Sequence, residues 1–183
     1  MDARALLVVI VGRPGTGKTT LAKRLTRELN GAYIRIDAIV GPILRARPTE
    51  DVGAVRVGYE IGREVAQGNL ELGVPVIVDG LHATHTRRQQ WLDVAASTRA
   101  HLEFLETFLS DDDEHRRRVE RRSSGESGYL GPWWHEVQAM TYEPWDDSRS
   151  GSRLAIETSD ADSALAAAMS HLRRSGRSMS DQD

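Results

Sequence analysis

The chain has 183 residues, 39% of them hydrophobic, enough for one buried core and too few for two ordinary domains with a linker. Lys and Arg number 24 against 27 Asp and Glu, and the net charge of -3 argues against a general nucleic-acid coat, which needs a basic surface to displace counterions. The absence of cysteine excludes disulfide scaffolds, thiolate metal sites and thiol nucleophiles, and a reducing, cytoplasmic setting is expected.

The segments alternate strand and helix, the pattern of a parallel sheet covered on both faces. Ala5 to Val11 is a continuous aliphatic run, as in a central strand buried on both sides. It is also the longest apolar run, far short of the roughly 20 residues that span a bilayer, and it lacks a small-residue cleavage site. Neither a membrane anchor nor a signal peptide is expected. Gly17 to Leu29 follows as a helix, with Leu21, Ala22, Leu25 and Leu29 at helical spacing. Ala32 to Ile36 is the second strand, with Tyr33 and Arg35 alternating with Ile34 and Ile36. Pro42 and Pro48 bracket a short irregular or helical piece, and 50–72 is mostly helical despite Gly53, Gly58, Gly62 and Gly68.

Pro75 to Val78 is a third, buried strand that ends in Asp79 and Gly80. Thr86 to Thr98 is a helix with Trp91 and Leu92 in its core, and Leu102 to Leu109 is the fourth strand. Asp111 to Arg122 is a helix with acids in its first turn and arginines in its last, as a helix dipole favours. Ser123 to Gly131 is a polar, Gly-rich loop expected to be mobile. Pro132 to Met140 is a short helix, Arg153 to Thr158 the fifth strand, and Asp160 to Arg174 the last helix. The tail from Ser175 to Asp183 has too few apolar residues to pack and is expected to fray. The expectation is one domain over 1–174, with a lid at about 111–131.

Gly12-Arg13-Pro14-Gly15-Thr16-Gly17-Lys18-Thr19 fits G-x-x-x-x-G-K-[ST] without a mismatch, after a buried strand and before a helix. Such a loop turns successive backbone N–H groups and the positive end of the helix toward phosphate oxygens. Residues Gly12 to Thr20 are therefore the candidate nucleotide cradle, with Lys18 on the β- and γ-phosphates and the Thr19 hydroxyl on Mg²⁺. A hydrolytic motor or switch, a kinase and a module that only senses nucleotide all use such a loop. The two asparagines, Asn30 and Asn69, do not supply the Asn-Lys-x-Asp element of a guanine switch. Asp79 is followed by Gly80 rather than by the glutamate of a motor ATPase. Both absences favour phosphoryl transfer to a bound acceptor.

Ligands of parallel α/β sheets sit outside the carboxyl ends of the strands, where Asp37 and Asp79 fall. Transfer to a hydroxyl needs a carboxylate to accept its proton and an acid near the metal. Asp37 takes the first role and Asp79 the second, though spacing alone allows the exchange, and either Asp is also a common helix cap. Five arginines fill 116–122, where Arg118 and Arg122 share one helix face and Arg117 and Arg121 the next. As a closing cluster they would meet the charge on the transferred phosphoryl group. As single residues they pair equally well with Asp111, Asp112, Asp113 and Glu114.

These residues resemble the small P-loop kinases related to chloramphenicol phosphotransferase, the kinase module of polynucleotide kinase, zeta-toxin-like kinases, gluconate kinase and adenylyl-sulfate kinase. The resemblance runs from about Leu6 to Leu172. It implies a three-layer P-loop fold with a five-stranded parallel sheet of order 2-3-1-4-5 and a helical lid, and ATP and Mg²⁺ as cofactors. It also implies Asp37 as the residue that activates the acceptor hydroxyl, and Arg118 and Arg122 as the paired lid arginines. The segment Ile156 to Ser159 resembles the strand and loop that lie against the adenine, with Glu157-Thr158 where relatives often have Asp-Thr.

The expected activity is ATP-dependent phosphorylation of a small-molecule hydroxyl. The rivals are a polynucleotide 5′-hydroxyl kinase, disfavoured by the acidic balance, and a nucleotide-sensing module, disfavoured by Asp37. Arg45 and Arg47 either hold the acceptor or face solvent. His82 lies close enough to Asp79 to line the cleft, and with His85 it has metal-ligand spacing but no third ligand. Trp133, Trp134 and Trp145 either wall an acceptor pocket or pack beneath the lid.

Overall fold

The computed structural model describes residues 4–46, 52–123 and 131–180, without the side chains of 52 and 177–180. Its centre is β1, Leu6–Val11, in which Leu7 to Val11 are completely buried. Alternation sends Leu7, Val9 and Val11 into one core and Val8 and Ile10 into another, so the strand must be covered on both faces. β3, Val76–Asp79, and β4, His101–Phe108, pair with it in parallel, and β2, Ala32–Arg35, and β5, Arg153–Glu157, complete the edges. The order β2-β3-β1-β4-β5 is the expected one. Each aliphatic side chain removed from water in these strands contributes roughly 1.5–3 kcal/mol.

Helix α1, Lys18–Glu28, packs with α8, Ala161–Ser180, over one face. Helices α3, Val52–Glu71, and α4, His85–Thr98, cover the other with Tyr59, Ala66, Leu70 and Trp91. The glycines of α3 do not break it. A side chain at Gly58 would lie 2.4 Å from Val40 Cγ2, so the glycine admits the close approach of α2, Ile36–Ala46.

Several boundaries differ from expectation. Asp37 lies in the first turn of α2 rather than at the end of β2, and Pro42 sits within this helix, where it removes one backbone bond without ending it. Past Leu172, the last buried apolar residue among its described side chains, α8 continues to Ser180, because each added residue of a formed helix gains a backbone bond. The expected mobile loop falls mostly on 124–130, outside the described residues. Helix α5, Asp112–Ser123, and the short α6, Trp134–Ala139, lie against the phosphate loop after β1, and the short α7, Asp147–Ser150, packs on α4 before β5. No helix among the described residues is long and apolar enough to cross a membrane.

Candidate active site

The loop between β1 and α1 curls through glycines at positive φ. Gly17 caps α1 at φ 81°, and its missing side chain leaves room for Thr158, whose Cβ and Oγ1 would stand 3.2 Å from a Cβ there. The Thr158 hydroxyl donates toward Thr16 O at 2.8 Å and Phe108 O at 3.0 Å, which ties the turn after β5 to the phosphate loop. From the other side His115 Nε2 stands 2.7 Å from Pro14 O, and its ring meets Trp134 edge-on. The Arg13 guanidinium donates to Val137 O at 2.7 Å and Met140 O at 3.3 Å, away from the cradle. Thus Arg13 contributes its backbone to the loop and its side chain to the chain after α5. Thr16 is likewise turned inward, sharing a 2.8 Å hydrogen bond with Thr107.

Beside the loop lies a cavity of about 520 Å³ lined by Gly15, Gly17, Lys18, Thr19, Thr20, Arg35, Arg118, Arg121, Arg122, Thr158 and Ser159, among others. Lys18 Nζ donates to Arg13 O at 2.8 Å. Burial pushes its ammonium down to about 8. The carboxylates of Asp79 and Asp37 oppose that shift, while Arg122 and Arg35 add to it. The Thr19 hydroxyl donates to Asp79 Oδ2 at 2.7 Å, and Tyr33 donates to the same oxygen at 2.9 Å. Burial, then the Asp79 charge, raises the Tyr33 phenol above its usual range, so it stays a donor. Asp79 is buried, whereas the Asp37 side chain is 49% exposed and stands 3.6 Å from Arg35.

A magnesium ion fits this donor set, because Thr19 Oγ1 and the Asp79 carboxylate already meet next to Lys18. The described residues hold no group of three or more His, Cys, Asp or Glu able to bind a metal by themselves. An ion seated there would complete its shell with water and phosphate oxygens, as magnesium prefers.

The structure redistributes the other expected residues. Arg118 donates to Glu114 at 2.7 Å and to the carbonyls of Thr158 at 3.0 Å and Ser159 at 3.3 Å, so it bridges α5 to the turn after β5. Glu114 one turn earlier, and carbonyls forty residues away in sequence, hold it there. Arg116 pairs with Glu120 and Arg117 with Glu114, whereas Arg121 and Arg122 line the cavity. His82 does not line the cleft. It is fully buried, with Nδ1 accepting from Trp91 Nε1 at 3.0 Å, and burial lowers its pKa to about 3. His85 bonds Ser150 and faces Glu143, so the two histidines share no ligand position. Arg45 is exposed on α2, and Arg47 lies outside the described residues. Trp145 packs against Phe104 between Arg88 and Arg153, Trp134 against His115, and Trp133 is half exposed. Two of these three tryptophans therefore pack beneath the helices rather than forming a pocket wall.

Sequence reasoning gave no site role to Arg35, His115 and the wholly buried Arg88. Arg88 donates to the carbonyls of His82, Ala83, Glu143 and Pro144. Only Arg35 carried a usable signal: it follows Tyr33 by two residues in a strand and is registered against Asp79.

A phosphate loop on the central strand, a hydroxyl and a carboxylate at its rim, and this strand order define a P-loop protein with the kinase-type fold. A family model described as an AAA domain matches residues 7–129, and the chain belongs to that family. None of the curated protein sequences matches the chain. Among solved structures it is similar to a gluconokinase from Sinorhizobium meliloti, with 15% identity over 100% of this chain and 99% of that one and a TM-score of 0.69. It is also similar to the Mycobacterium tuberculosis APS kinase bound to AMPPNP and APS, at 16% identity over 93% and 98% with a TM-score of 0.68. A sugar kinase from Janibacter gives 18% identity over 92% and 95%, again with a TM-score of 0.68. At such identities the likeness is one of fold.

Proposed function

We propose that the chain is an ATP- and Mg²⁺-dependent kinase that phosphorylates a hydroxyl of a small molecule. The observation that carries this reading is the 2.7 Å hydrogen bond from Thr19 to the buried Asp79 beside Lys18, with the exposed Asp37 carboxylate 3.6 Å from Arg35, which lines the cavity with Lys18. The gluconokinase, sugar kinase and APS kinase folds support it. When bound, Mg-ATP supplies the transferable phosphoryl group. The loop N–H groups and Lys18 hold its phosphates, and Thr19 and Asp79 hold the ion. Thr158 and Ser159, with Arg118 across them, wall the far end of the cavity, where the base and ribose fit. Arg122 brings positive charge over the phosphates. Asp37, in the first turn of α2, accepts the proton of the attacking hydroxyl, and its exposure admits an acceptor to that carboxylate.

Asp37→Asn tests the reading. ATP affinity should stay within about twofold while transfer to hydroxylated metabolites, nucleosides and antibiotics, followed by mass gain, falls about a hundredfold or more. Unchanged transfer would remove Asp37 as the base.

A further inference from the structure

We infer that Arg35 is a further catalytic residue, a guanidinium supplied by β2 that contacts the phosphoryl group in transit; this rests on the kinase reading of the site. The argument begins with parity. On β2 the side chains of Tyr33 and Arg35 share the face turned toward α1, opposite Ile34 and Ile36. The parallel register sets Tyr33 beside Ile77 and Arg35 beside Asp79. The last side chain of the strand therefore emerges over the start of α1, at the level of Thr19. There the guanidinium stands 3.6 Å from Asp37 Oδ2 and 3.9 Å from Asp79 Oδ2, with the side chain 25% exposed, and it lines the same cavity as Lys18, Thr19 and Arg122. It is near enough to Lys18 to help depress that ammonium.

Arg35 thus lies between the carboxylate placed at the acceptor and the carboxylate placed at the metal, which is the line the phosphoryl group travels. In the transfer, the bond from the γ-phosphorus to the β,γ-bridging oxygen breaks and its electron pair stays on ADP. A bond forms from the acceptor oxygen to phosphorus, and the hydroxyl proton passes to the Asp37 carboxylate. The guanidinium keeps its protons throughout and balances the charge on the equatorial oxygens, in a cavity where a fixed donor is worth more than in water. Arg35 and Arg122 are the arginines close enough to Lys18 to act on its ammonium, whereas Arg118 reaches Glu114 and the carbonyls of Thr158 and Ser159.

The test needs no acceptor. Binding of Mg-ADP is measured alone and with aluminium fluoride, which mimics the transferring group, for the parent chain, Arg35→Ala and Arg35→Lys. The parent should bind the fluoride complex at least about tenfold more tightly than Mg-ADP. Arg35→Ala should lose about tenfold or more of that gain while its Mg-ADP affinity stays within about twofold, and added guanidinium ion should restore part of it. Arg35→Lys should fall between the two. Equal losses of Mg-ADP and fluoride-complex affinity would make Arg35 only a support for Asp79 and would overturn the inference, as would no loss at all. A parent chain that binds no Mg-ADP would overturn both this inference and the nucleotide reading. A parent that binds tightly beside an unaffected Arg35→Ala would overturn the inference alone.

Discussion

Lys18 is the group whose protonation a binding curve can read directly. Its ammonium is held down to about 8 by burial in the loop, against an ordinary 10.5. In the free protein about nine in ten molecules therefore carry the charge at pH 7 and about one in ten at pH 9. A triphosphate seated on the loop favours the charged form, so the bound state keeps a proton that the free state releases. Affinity for Mg-ATP should thus fall as pH rises through 8, by roughly fivefold between pH 8 and pH 9 and more steeply above, until the raised pKa of the bound complex is reached. ATP completes its own last ionisation below this window, which leaves the protein as the source of the slope. Calorimetric titration from pH 7 to 9.5 measures it. Lys18→Arg is the control, because a guanidinium stays charged throughout: its affinity will be offset by imperfect reach, but its slope should vanish. Lys18→Ala should bind weakly at every pH. A flat profile for the parent, or an undiminished slope in Lys18→Arg, would show that Lys18 does not meet the phosphates.

Two further predictions concern the scaffold behind the site. Arg88→Met should destabilise the fold by about 3 kcal/mol or more in urea denaturation, since it orphans carbonyls of His82, Glu143 and Pro144 at roughly 1–3 kcal/mol for each one left dry, while Ala83 O keeps its bond from Glu143 N; a loss below about 1 kcal/mol would mean that water replaces the guanidinium. His82, held neutral with a pKa near 3 against 6.5 in the unfolded chain, should make stability fall as pH drops below 6.5. Urea midpoints between pH 6.5 and 5 should therefore decline more steeply for the parent than for His82→Gln, and parallel curves would show that the ring is free to charge.

The sheet was legible because its rule is local. Five buried aliphatics in β1, Arg4 before the run and a glycine loop after it leave few arrangements other than a central strand feeding a phosphate-binding helix. The same locality placed Lys18 and Thr19, whose positions follow from one turn of backbone. Side chains that reach across the sequence were not legible. Trp91 and His82 satisfy each other nine residues apart through a turn in which His82 takes φ 43°, and no spacing announces that. Nearness to Asp79 in sequence put His82 on the cleft, and the partner that buries it, Trp91, lies on the next helix.

The arginines of α5 show where the helical rule stops. Spacing correctly put Arg118 and Arg122 on one face, and both border the cavity. Arg118 also pairs with the acid one turn earlier: Glu114 accepts from Arg117 and Arg118, and those bonds lower its own pKa, while Glu120 takes Arg116. Arg116, Arg117 and Arg118 thus pair with carboxylates of their own helix, while Arg118, Arg121 and Arg122 line the cavity. A chain of net charge -3 in this way concentrates Lys18, Arg35, Arg121 and Arg122 around one cavity, with Asp37 and Asp79 beside them. For this fold, net charge describes how the surface meets solvent, whereas the site depends on which acids are close enough to hold which arginines.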